Sequence, residues 1–145
     1  MKYMNEAEFN KANAFGKGQA NINYAQYFIG ESYLNPLTMP GESPIALVNV
    51  TFEPGCRNNW HIHHATSGGG QILICTTGEG WYQEEGKEPV SLVAGKVIVI
   101  PSGVKHWHGA KVDSWFSHIA FAVPGENCKN EWCEPVSDED YAKLK

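Results

Sequence analysis

Short apolar runs, separated by Gly, Pro or Asn, recur along the chain from Ile45 onward. They are rich in Val, Ile, Trp, Tyr and Phe, and their spacing is typical of antiparallel strands. We predict strands near residues 20–30, 45–53, 59–64, 71–77, 80–84, 89–93, 96–100, 105–110 and 115–123. Residues 77–80 and 94–95 contain glycine between such runs, which predicts tight hairpin turns.

Only the ends of the chain lack this strand pattern. Residues 5–14 suit one or two helical turns, and Ser137 with Asp140 forms a capping-box-like start for a short C-terminal helix. Nine predicted strands within 145 residues, without an internal repeat or linker, favour a single domain over 1–145. The expected fold is all-β, a sandwich or jelly-roll barrel with short terminal helices and an interior open to a ligand.

Composition and charge narrow the possible partners. The hydrophobic share of 42% and the charged share of 19% are ordinary for a globular protein. The net charge is −5 and Arg57 is the only arginine, so a phosphate-binding surface for nucleic acid is not expected. The longest apolar runs, at 45–48 and 97–100, fall far short of the roughly 20 residues of a membrane helix.

The N-terminus and the cysteines bear on location. The first residues mix charged and amide side chains without a continuous apolar core, which predicts no secretory signal and a cytoplasmic protein. Cys56, Cys75, Cys128 and Cys133 are expected to be free thiols, since a chain of this size needs no disulfides in a reducing compartment.

All six histidines lie between residues 61 and 118. On a strand, His61 and His63 project from one face, and His106 and His108 from one face of another. Four imidazoles from two strands suit a divalent metal, whereas a single such pair is a weaker signal. His118 shares a face with two alanines, but a lone histidine is more often a hydrogen-bonded core residue. His64 faces away from its neighbours and is expected to be exposed.

Two motifs resemble those of the cupin family. They are Gly55-x5-His61-x-His63 with Gln71-x6-Gly78, and Gly95-x5-Pro101-x-Gly103-x2-His106, over residues 55–78 and 95–110. The phrases GQILICTTGEGWYQEEG, IPSGVKHWHGA and DSWFSHIA are similar to small single-domain bacterial cupins of the carboxymuconolactone-decarboxylase-associated or quercetin-dioxygenase-related type. That group is similar to the manganese-dependent cupin hydroxynitrile lyases. The resemblance implies a double-stranded β-helix barrel, with His61, His63, Gln71 and His106 as metal ligands.

The sequence departs from the common motif at the third ligand. Seven residues separate His63 from Gln71, so a wider loop is expected there, and Gln71 stands where the family usually has Glu. A neutral amide with three neutral imidazoles would leave the charge of the metal uncompensated and strengthen it as a Lewis acid. Mn, Fe, Ni, Cu and Zn all accept such ligands.

These residues leave several functions open. The first hypothesis is a metal-dependent enzyme acting on a small-molecule substrate, either a lyase or a dioxygenase, with His108 and then His118 as candidate general acid or base. His108 could instead orient a ligand through a hydrogen bond. The second hypothesis is a non-catalytic metal-containing binding or sensor protein, and the third is a structural metal site. A homodimer is expected through the apolar face of Ile119, Phe121 and Val123.

Overall fold

A computed structural model describes all 145 residues as an antiparallel β-structure with a short helix near each end. The helices are α1 (Glu6–Ala12) and α2 (Asp138–Ala142), and a 3-10 turn spans Ala25–Tyr27. The strands are β1 (Gln19–Ala20), β2 (Phe28–Ile29), β3 (Ser32–Pro36), β4 (Val48–Phe52), β5 (Arg57–Asn58), β6 (His61–His64), β7 (Ser67–Gly68), β8 (Gln71–Glu84), β9 (Val90–Val93), β10 (Val97–Ile100), β11 (His106–Ala110), β12 (Phe116–Ala122), β13 (Gly125–Glu126) and β14 (Lys129–Trp132). Neither helix is long and apolar enough to cross a membrane.

The long strand β8 runs through both halves of the curled sheet. Its first part lies between β10 and β12, and that half continues through β4 and β3 to β1. Its second part pairs with β9 and β11, and β11 in turn pairs with β5 and β6. Strand β14 adds to the outer edge of β6. The all-β jelly-roll barrel expected from the sequence is confirmed.

The main core fills the space between the two halves. Phe52 and Phe116 come from one half and are fully buried, and Leu92 from the other half is equally buried. Removing side chains of this size from water is the main stabilising term of such a fold, at roughly 2 to 3 kcal/mol each. A second cluster of Trp81 and Trp107 packs beneath α2 on the outside of the sheet.

Residues 77–80 form no hairpin turn, so the prediction of two strands at 71–77 and 80–84 is wrong. Gly78 lies inside β8 with φ +76°, and a Cβ there would sit 1.8 Å from the carbonyl oxygen of Trp115. The β8–β12 register also shifts between Ser117 and His118. This glycine therefore lets one strand bend from one half of the barrel into the other. In the sequence, a glycine at such a bend looks the same as a glycine in a hairpin turn. The turn at 94–95 is confirmed.

Two other regions differ from the sequence-based expectation. The segment 20–30 is two short strands joined by a 3-10 turn rather than one strand, and β3 follows it unpredicted. Strand β14 was also missed, because three of its four residues are exposed and polar and show no alternation of apolar and polar positions.

Both terminal helices are confirmed. The Asn5 side chain caps α1 by accepting from the backbone N–H of Glu8. Ser137 caps α2 by accepting from the backbone N–H of Asp140, as the capping-box-like pattern predicts. The buried Arg57 guanidinium donates to Asp138 at 2.6 Å and so fixes α2 against the barrel. The four cysteines are free.

Candidate metal centre

Three histidines converge inside the barrel, as the sequence predicts. His61 and His63 lie on β6, and His106 on β11 pairs directly with His61 in the antiparallel register. One ring nitrogen from each of the three lies within 4.8 Å of the others. Three imidazole nitrogens at such separations are arranged to share one ion.

Two of the three rings are oriented by backbone carbonyls. The Nδ1–H of His61 donates to the carbonyl of Asn59 at 2.8 Å, and that of His106 donates to Val104 at 2.9 Å. Because a carbonyl only accepts, both rings carry their proton on Nδ1 and leave a lone pair on Nε2. The Nε2 of His106 is buried without a hydrogen-bond partner. An orphaned buried acceptor of this kind suits a bound cation.

The third ring, that of His63, is oriented by a side chain. Its Nδ1 lies 2.8 Å from Oδ1 of Asn130 on β14, and its Nε2 lies 3.1 Å from Oε1 of Gln71. With the proton on Nδ1, the facing Nε2 and Oε1 are both acceptors. Two acceptors facing each other are expected around a shared cation, so these residues fit a metal ion. No pattern in the sequence singles out Asn130.

The seven-residue loop between His63 and Gln71 returns the chain so that Gln71 lies beside His63. The loop contains the short strand β7, which pairs with β13 and ties the loop to the C-terminal part of the chain. Gly70, the last loop residue, has φ +96°, and a Cβ there would lie 2.2 Å from the carbonyl oxygen of Ile100. Glycine at this position permits the sharp return of the chain into β8.

His108 and His118 form a second buried pair beside the three converging histidines. His118 Nε2 lies 3.0 Å from His108 Nδ1, and the ring centroids of His61 and His108 are 5.5 Å apart. Asn58 accepts from the backbone N–H of His108 at 3.0 Å, and its amide nitrogen lies 3.2 Å from His108 Nε2. His64 points outward and contacts Glu131 at 2.7 Å, so it takes no part in the cluster.

Burial keeps the imidazoles of His61, His106, His108 and His118 neutral. It lowers the pKa of His106 to about 4 and that of His118 to about 3. Burial, followed by the neighbouring histidines, holds the pKa values of His61 and His108 well below the usual range. Neutral imidazole is the form that coordinates a metal or accepts a proton.

A cavity of about 370 Å³ opens beside the converging histidines. None of its lining residues is Lys, Arg, Asp or Glu, and about half are apolar. Phe28 of β2 lines it. Trp132 of the unpredicted strand β14 lines it as well and packs on His61, with ring centroids 4.8 Å apart.

Comparison with known proteins identifies the fold family. A cupin domain model matches residues 48–115. The (R)-mandelonitrile lyase of Granulicella tundricola is 37% identical over 131 residues, which is 90% of this chain and 93% of that protein. The chain belongs to the cupin family. The three converging histidines are thus positioned to bind a metal, as in other cupins.

Solved structures agree with this assignment. A cupin-like protein from Thermotoga maritima is 34% identical, with a TM-score of 0.74, over 90% of this cupin and 95% of that chain. The DMSP lyase DddQ from Ruegeria pomeroyi has a TM-score of 0.62 over 83% of this cupin and 64% of that chain. Its identity is 19%, so it shows the shared fold alone.

Proposed function

We propose that this cupin is a metal-dependent lyase that cleaves cyanohydrins of aromatic aldehydes. The observation that carries the proposal is the 37% identity to (R)-mandelonitrile lyase across 93% of that protein. We further propose that His61, His63, Gln71 and His106 hold the ion. The proximity of the Gln71 oxygen to His63, 3.1 Å from its Nε2, supports the fourth ligand.

The cavity supports a neutral, largely apolar substrate. Its lining has no charged side chain, so a phosphate or carboxylate far from the ion would find no basic partner. Phe28 and Trp132 offer flat apolar surfaces for an aromatic ring. The lining also contains polar groups near the histidines, among them Asn58, Gln71 and Asn130. These groups could form hydrogen bonds with the hydroxyl and nitrile of a cyanohydrin.

The ligand set favours Lewis-acid chemistry. When bound to three neutral imidazoles and a neutral amide, a divalent ion would keep its full charge and polarise an oxygen or stabilise a cyanide. A redox change of the ion is not required, because cyanohydrin cleavage consumes no oxidant.

The buried pair of His108 and His118 supports proton transfer. In the proposed cleavage, His108 accepts the hydroxyl proton, the carbonyl double bond forms, and the bond to the nitrile carbon breaks. The electron pair of that bond leaves with cyanide, which then takes the proton from His108, so the products are an aldehyde and hydrogen cyanide. His118 holds the His108 ring through the 3.0 Å contact, and Asn58 holds its backbone.

Activity after metal loading tests the proposal. Protein loaded separately with Mn²⁺, Fe²⁺, Ni²⁺, Cu²⁺ or Zn²⁺ is expected to release benzaldehyde from mandelonitrile with at least one ion, measured by absorbance. The control substrate is a mandelonitrile that carries a carboxylate on the ring. It should react more slowly than mandelonitrile because the cavity has no Lys or Arg side chain to pair with the carboxylate. Oxygen uptake with a phenolic or diketone substrate, without cyanohydrin cleavage, would instead favour a dioxygenase. Binding without turnover of either class would favour a sensor protein.

We also propose a homodimer, formed where the outer face of the sheet is apolar. Strand β10 pairs only with β8, and its Val97 and Val99 are 54% and 66% exposed. Ile119 itself is already buried, so β10 offers more free apolar surface than the predicted Ile119 face. Light scattering is expected to give twice the chain mass, and Val99→Lys should shift the mass to that of one chain. A monomeric wild type would contradict this proposal.

A further inference from the structure

We infer that Asn130 is a positioning residue of the metal centre, which holds His63 in the tautomer that leaves Nε2 free for the ion. The inference rests on the metal site of the proposed function, but it does not depend on which reaction the site performs. Its basis is the 2.8 Å contact between Asn130 Oδ1 and His63 Nδ1. The role is carried by a strand that the cupin motifs do not include.

His63 differs from the other two histidines in what orients it. The Nδ1 atoms of His61 and His106 both donate to the carbonyl of the residue two positions earlier. Those contacts are made to the local backbone and need no side chain from another strand. The Nδ1 of His63 depends instead on an amide from another strand, so one substitution can remove its partner.

Loss of that partner would allow His63 and Gln71 to form a hydrogen bond with each other in place of binding the ion. His63 Nε2 lies 3.1 Å from Gln71 Oε1. If the imidazole proton moved from Nδ1 to Nε2, this pair would become an ordinary hydrogen bond and occupy two proposed ligand atoms at once. Asn130 opposes this change because Oδ1, the amide atom that faces His63 Nδ1, can only accept a hydrogen bond. In the metal-free protein, Asn130 thus prevents a hydrogen bond between His63 Nε2 and Gln71 Oε1, so both atoms stay available to an ion although they lie close together.

The position of Asn130 suits this role and makes it testable. Asn130 is the direct cross-strand partner of His63 in the β6–β14 ladder, and such pairs have adjacent side chains. The backbone of β14 pairs with β6 over four residues, from Lys129 to Trp132. Asn130 itself is exposed. A substitution of this side chain should therefore leave the ladder and the barrel intact.

The neighbouring residue offers a matched control. Glu131 is also exposed on β14, and it contacts the imidazole of His64 at 2.7 Å. Because His64 is not in the cluster, Glu131→Gln changes an equivalent contact between a β14 side chain and a histidine without touching a ligand. Any effect of altering β14 in general would appear in both variants.

Metal affinity is the first measurement. Competition with a chelator for Mn²⁺ and for Zn²⁺ should show Asn130→Leu binding each ion about 10-fold or more weakly than wild type, the scale seen when a ligand histidine loses its orienting partner. Asn130→Asp keeps an acceptor at the same place and should bind at least as tightly as wild type. Glu131→Gln should match wild type. Equal affinity of Asn130→Leu and wild type, with unchanged circular dichroism, would overturn the inference.

The tautomer of His63 in metal-free protein is the second measurement. Long-range ¹H–¹⁵N correlation spectra should place the proton on Nδ1 in wild type and Asn130→Asp, and on Nε2 in Asn130→Leu. A proton on Nε2 in the wild type would also overturn the inference. Neither measurement uses a substrate, so absence of cyanohydrin cleavage would reject the proposed function and leave this inference standing.

Discussion

His106→Ala is expected to abolish stoichiometric metal binding while the barrel remains folded. His106 is fully buried, and its Nε2 has no hydrogen-bond partner within the protein. Losing the orienting partner of a ligand already costs 10- to 100-fold in affinity, so losing the ligand itself should cost more than about 100-fold. Elemental analysis of purified protein, with titration of Mn²⁺ or Zn²⁺ into the metal-free form, measures the change.

His64→Ala is the control for that prediction. His64 neighbours His63 in sequence, but it points outward to Glu131 and should leave metal content and affinity unchanged. A second variant, His106→Gln, retains a side chain of moderate size in case the alanine leaves a destabilising cavity. If both variants of His106 bound the ion as tightly as wild type, the three-histidine centre would be refuted. The thermal transition of each variant shows whether it is folded.

Part of the three-histidine arrangement was predictable because it follows from local geometry. Side chains two residues apart share one face of a strand, so His61 with His63, and His106 with His108, had to point in common directions. The sequence could not show that β11 pairs with β6 at His106 and His61, a long-range register that brings the two faces together. The resemblance to cupins implied it, because in that family the histidines of both motifs bind one metal ion.

Other parts of the site depend on contacts without a local pattern. Asn130 and Trp132 lie on β14, whose exposed polar residues resemble a loop in sequence. Only the pairing of β14 with β6 places Asn130 beside His63 and Trp132 beside His61. In the same way, Gly78 is needed for the bend of β8 because the carbonyl of Trp115 lies against it. Both examples arise from partners far away in the chain.

The cavity lining adds no charged side chain to the candidate metal centre. Gln71 is neutral, and the lining contains no Lys, Arg, Asp or Glu side chain. An ion held there would be the only full charge at the cavity wall. Reactions that develop negative charge next to the ion would be favoured, and a charged substituent against the apolar part of the lining would be disfavoured. This arrangement supports a lyase with a neutral substrate and an anionic leaving group.

His108→Ala is expected to retain the metal but lose most of its cyanohydrin cleavage. His108 lies beside His61, a proposed ligand, and it lines the cavity and contacts His118, so its proposed task is proton transfer rather than coordination. Removing a positioned general base lowers the rate by about 10²- to 10⁴-fold, and kcat/KM for mandelonitrile should fall by a factor in that range.

His108→Gln should show a similar loss of cleavage while filling more of the space left by the imidazole. His118→Gln should have a smaller effect, since in the proposal His118 acts only through His108. Parallel measurement of metal content decides the outcome: loss of the ion would make His108 a ligand, and unchanged turnover would remove it from the proton transfer.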